Sequence, residues 1–162
     1  VAGQTVANLV TVALGAGNRV TLYNSAGTVD LVADLAGYYT PDAGAGFTAV
    51  SPVRVLDTRT GVGAPTAKVG AGGTVSVTIP GLPAGATAVT MNVTATRPTA
   101  TSFVSVYPGG TARPGASTLN VVAGQTVANL VTVALGAGNR VTLYNSAGTV
   151  DLVADLAGYY RR

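Results

Sequence analysis

The sequence predicts an all-β fold: an eight-stranded antiparallel β-sandwich of jelly-roll type, with a closed β-barrel as the alternative. Three observations predict it. Short Val- and Thr-rich stretches are interrupted every few residues by Gly, Pro, Asn and Asp, the pattern of strands separated by turns. No stretch carries convincing helical periodicity. Finally, residues 1–39 recur letter for letter at 122–160, and this period of 121 sets the size of one structural unit.

Strands are expected at 52–57, 73–79, 86–95, 102–107, 116–121, 126–135, 139–145 and 149–156. The first runs into a long loop, 58–72. The second stops at Ile79-Pro80-Gly81-Leu82-Pro83, because proline has no N–H to give to a central ladder. The fourth ends at a second long loop, 108–115. Strands six, seven and eight are joined by Gly136-Ala137-Gly138 and Ser146-Ala147-Gly148, short links suited to hairpins, so these three are expected to form a meander. Residues 41–160 then make one complete unit, 1–39 a partial repeat of three strands, and 161–162 a terminal extension in which two arginines replace Thr40-Pro41 of the first copy. Val1 in place of Met, with no signal sequence, reads as a processed or an excised piece.

Composition closes several routes to function. The chain has no His, Cys, Trp or Glu; its acidic residues are Asp30, Asp34, Asp42, Asp57, Asp151 and Asp155. That removes Ser-His-Asp and Cys-His nucleophiles, zinc sites built on Cys or His, haem and iron–sulfur ligation, and disulfides. No cofactor or metal is expected, and the chain reads as a non-enzyme. At 48% hydrophobic and 9% charged it should bury a real core, yet no apolar run approaches the roughly 18–20 residues that cross a bilayer. The net charge of +3 is largely Arg161 and Arg162, and no basic stripe exists to grip nucleic acid.

Few groups remain as site candidates. If the first strand continues through Arg59, alternation places Val53, Val55, Asp57 and Arg59 on one face. Asp57 and Arg59 are then drawn inward together, and neither charge is tolerable there unpaired, so a structural ion pair clamping the 58–72 loop is expected. Asp151 and Asp155 share a face opposite Leu152, Ala154 and Leu156. Four residues of strand set them about 13 Å apart, beyond the roughly 5–9.5 Å of a glycosidase pair. They are assigned to solvation or to arginines on neighbouring strands. Loops longer than about 12–15 residues are often functional. Lys68 in the first long loop, Arg113 in the second, and Tyr107 as an aromatic platform beside it are therefore the candidate binding residues.

The motifs VRVLDTRTG (53–61), AVTMNVTAT (88–96), SVYPGG (105–110), STLNVVAGQTVANLV (117–131) and DLVADLAGYY (151–160) occur together. With them the unit resembles the tandem β-domains of about 120 residues in secreted actinobacterial proteins, often beside cell-wall amidases, peptidases or glycosidases. The resemblance implies an extracellular or cell-surface location; it supplies no ligand and no catalytic residue.

The surplus third points to self-association. Its apolar pairs, Val6 with Val10, Val20 with Leu22 and Val29 with Leu31, cannot stay exposed as sheet without inviting contact. Being identical to 122–160, it can complete another copy's sheet by strand exchange; alternatively, it is the tail of the preceding domain in a longer array, cut mid-repeat. The expected function is a structural repeat that forms a fibre, stalk or surface layer. The alternative is a module that binds cell-wall polysaccharide and targets secreted enzymes to it.

Overall fold

The computed structural model describes residues 3–40 and 44–162. The first residues of both segments defined above, 1–2 and 41–43, lie outside the described residues. Eight strands form: β1 (Gly46–Asp57), β2 (Thr74–Thr78), β3 (Ala86–Thr96), β4 (Ser102–Pro108), β5 (Leu119–Val121), β6 (Val127–Ala134), β7 (Arg140–Asn145) and β8 (Asp151–Arg161). One sheet has the order β1-β8-β3-β6 and the other β2-β7-β4-β5. Every pairing is antiparallel.

The order has a simple origin. β1 pairs with β8, β2 with β7, β3 with β6 and β4 with β5, so the chain is one long hairpin with β4–β5 at its tip. The hairpin is rolled up, and the β8–β3 and β7–β4 ladders hold the roll. This is the eight-stranded jelly roll. Both sheets keep free edges, so the fold is a sandwich and not a closed barrel.

The expected meander of the last three strands does not form. β6 and β8 share a sheet with β3 between them, while β7 lies in the other. The 136–138 and 146–148 links do turn sharply, with φ of +70° at Gly138 and +56° at Gly148, but they carry the chain from one layer to the other. A short glycine-bearing link serves a hairpin and an arch alike. Burial decides between them, because each strand has one apolar face and two facing layers cover them all.

Period-two alternation fills the core between the layers. Val89, Met91, Val93 and Ala95 of β3 point inward, as do Leu152, Ala154 and Leu156 of β8, against Val77, Val104, Val141 and Leu143 of the opposite sheet. β1 starts before the predicted strand and β8 runs past it. Their extra residues pair with each other, and Phe47 lies against Tyr160 at a ring separation of 5.0 Å.

The three strands expected within 1–39 are absent: residues 3–40 join no sheet and form only an isolated Gly15–Arg19 bridge. The place that this sequence takes in the sheets, β6–β8, is filled by its identical twin, 122–160.

Candidate functional site

Charge gathers around β1, β8 and the loop between β1 and β2. Every acidic residue from 46 to 160 is there: Asp57 closes β1, and Asp151 and Asp155 lie on β8. Arg54 and Asp155 are opposite each other in the β1–β8 ladder, and their side chains meet at 2.7 and 3.2 Å. Arg54 also reaches Asp57 at 3.1 Å. β1 stops at Asp57, so Arg59 sits in the turn rather than on the strand, and folds back to bond Asp57 at 2.7 and 2.9 Å. The Arg59 backbone N–H donates to the same carboxylate at 3.0 Å. Both oxygens of Asp57, a residue only 3% exposed, are thus fully engaged.

The second half of the network holds the loop itself. Asp151 accepts from Lys68 at 2.5 Å and pairs with Arg97 at 2.9 Å. Lys68 also donates to the Arg97 carbonyl at 3.0 Å. Thr58 N–H donates to the Leu152 carbonyl, and Leu152 N–H returns a bond to Thr58 Oγ1. Val69 and Val150 exchange both backbone bonds. A buried amide ties this strap to the far sheet: Asn145 Nδ2 lies 3.1 Å from the carbonyls of Val69, Gly70, Ala147 and Gly148, while its Oδ1 accepts from Ser102 at 2.7 Å.

Electrostatics follow from these contacts. The Arg59 guanidinium, helped by its backbone N–H and by Arg54, holds the Asp57 carboxyl well below the usual carboxylate range despite burial. The carboxylates push Arg54 and Arg59 upward in return. Among the described residues, no buried side-chain N or O lacks a hydrogen-bond partner, and no three His, Cys, Asp or Glu side chains converge as a metal site would require. The network ties residues 58–72 to β8 and to the far sheet.

The three binding candidates fall in different settings. Lys68 is taken up by the clamp. Arg113 lies over the Tyr144 ring at 4.6 Å, where the 109–118 loop folds back across the outer face of the β2-β7-β4-β5 sheet. Ser105 on that face donates to the Ala116 carbonyl and Val106 N–H to Thr118. Tyr107 is 8% exposed, so it offers no platform to a ligand; alternation sets it on the outer face, but the ring is buried there. A groove of about 610 Å³ lies elsewhere, between Gly3, Gln4 and Thr5 on one side and Phe103, Asn120 and Gln125 on the other, with no charged residue in its lining. No described helix is long and apolar enough to cross a membrane.

The largest anomaly is the surplus third. Thirteen large apolar side chains between Val6 and Tyr39 are exposed: Leu22 is 56% exposed and Leu31 58%, while their twins Leu143 and Leu152 are at 0%. The segment nevertheless keeps its twin's turns. Gly15 N–H bonds the Arg19 carbonyl at 2.9 Å, as Gly136 bonds Arg140. Asn18 and Asn139 have φ of +57° and +56°, a left-handed conformation that Asn tolerates. Asn24 Nδ2 bonds the Ala26 and Gly27 carbonyls, as Asn145 bonds those of Ala147 and Gly148. A scan of protein-family models and a search of curated proteins find no match to this sequence.

Proposed function

We propose that the chain is a non-enzymatic structural repeat module, working outside the cell, that builds a fibre, stalk or surface layer by joining copies through its duplicated third. The observation that carries the reading is the exposed apolar face of 6–39, already bent into the turns of a segment that is buried elsewhere in the same chain. Each chain offers one β1–β5 half-sandwich and two thirds able to complete it. One third is always surplus, and its apolar surface favours leaving water.

The occupant is the β1–β5 half of a second copy, because that surface already accepts this sequence. A third seated in a neighbour leaves the neighbour's own third to move on. The contact is heterologous and propagates as an open fibre unless it closes into a ring. Polysaccharide binding is the weaker reading, since Tyr107 is buried and Lys68 engaged. Light scattering over a concentration series tests the proposal. Masses at multiples of 15.9 kDa that grow with concentration are expected; a strict monomer in which protease removes 1–39 contradicts it.

A further inference from the structure

We propose that residues 1–39 also seat within their own chain, taking the β6–β8 place against β1–β5 and releasing 122–160. One sequence would then fold into two circularly related jelly rolls. This goes beyond the assembly proposed above, because it concerns a single chain.

Topology permits the exchange. In the β1–β8 ladder Tyr160 stands opposite Phe47. With Tyr39 in the place of Tyr160, the connection to Phe47 is residues 40–46, seven residues across one antiparallel pair. Hairpin loops commonly need only two to five. At the other end the duplicated sequence begins at Val122, directly after β5 closes at Val121, so breaking the chain there cuts no strand. Strand order and every β6–β8 side chain but the last, Arg161, are unchanged. At the tip, Arg161 pairs with Gly46 and Ala86; Thr40 would stand in its place and needs only its backbone to do so.

The segment is also placed for the move. It lies beside its twin at three points along its length: Gly3 to Thr5 border the same groove as Gln125, Leu9 N–H donates to Asn129 Oδ1 at 3.2 Å, and the Tyr39 and Tyr160 hydroxyls meet at 2.9 Å. Its turns are those of the seated copy, so the ordering of those turns is already in place.

Apart from the end residue Arg161, the two folds make the same sheet contacts and differ in which link is closed. Loop-closure entropy varies slowly with length, so their populations should agree within a factor of about two. β8 is held on both sides, by β1 and β3, and a seated third cannot leave without opening the sandwich. The choice is made during folding and then kept.

The test uses the full chain carrying Leu143→Asp, which places a charge at a fully buried site of 122–160, refolded at sub-micromolar concentration. The substitution gives the copies different peptide masses, so hydrogen exchange read by mass spectrometry reports each separately. The expected result is a folded monomer in which the peptide spanning Leu22 gains protection by roughly a hundredfold or more, while that spanning position 143 loses it. Leu22→Asp should leave the protection on 122–160, and the double variant should not fold. An unfolded Leu143→Asp chain, or one that folds with 1–39 unprotected, overturns the proposal. So does a chain that folds only as an oligomer, although exchange between chains would then stand.

Discussion

Replacing Met91 and Leu143 by alanine in separate chains should have unequal consequences, although both side chains are fully buried in the same core. Met91 lies on β3, between β6 and β8, and exists once in the sequence. Its truncation should cost about 2–5 kcal/mol from lost burial plus the cavity left behind. Leu143 has a spare at Leu22. If either third can complete the sandwich, disabling one removes one of two equivalent native states, and the loss is RT ln 2, about 0.4 kcal/mol. Urea unfolding of refolded samples reads the difference. With m near 1.5 kcal/mol/M, Met91→Ala should lower the midpoint by about 2 M and Leu143→Ala by about 0.3 M. A Leu143→Ala midpoint as low as that of Met91→Ala would refute the equivalence of the two copies.

Other expectations concern residues present once. Asp57 is held below the usual carboxylate range, so its contribution is complete above the unfolded value near 4 and is lost as pH falls through that value toward the folded one. Asp57→Asn should therefore lower the urea midpoint at pH 7 and flatten its fall between pH 4 and 2; an unchanged acid slope would remove Asp57 from the clamp. With no His or Cys in the chain, the wild-type midpoint should stay flat from about pH 5 to 7. Ser102→Ala removes the donor to Asn145 Oδ1 and the acceptor of the Ala147 N–H, a loss of about 1–3 kcal/mol in the same assay. Gly63 has φ of +67°, and a Cβ there would overlap the Val55 carbonyl oxygen, so Gly63→Ala should cost about 3 kcal/mol or more and loosen 58–72 to proteolysis.

The eight strands were legible because alternation and turn residues are local signals. The pattern in β3, Val89, Met91, Val93 and Ala95, identifies an inward face without any knowledge of neighbours. Which layer a strand joins is not local, and the links at 136–138 and 146–148 suit both a meander and an arch. The early start of β1 was hidden because residues 46–49 are exposed and gain their order from the end of β8. Asp57 and Arg59, two residues apart, could be read together as a pair. Arg54 could not, because its partner Asp155 is 101 positions away and only the ladder register brings them together. Asn145 looked like an ordinary strand end, and its hub role depends on the loop carbonyls of Val69 and Gly70 arriving from elsewhere. Tyr107 was misjudged because alternation tells which face a ring takes, not that the ring is buried there.

The most direct test of joining through the duplicated third is the solution mass of the full chain beside that of a Val20→Asp, Leu22→Asp, Leu31→Asp variant. These three side chains are exposed in 1–39, while their twins Val141, Leu143 and Leu152 remain intact in the core. The variant should fold as before and stay at 15.9 kDa at every concentration, while the wild type forms multiples of that mass. Equal masses for the two chains, whether both monomeric or both associated, would contradict the assignment of assembly to the surplus third.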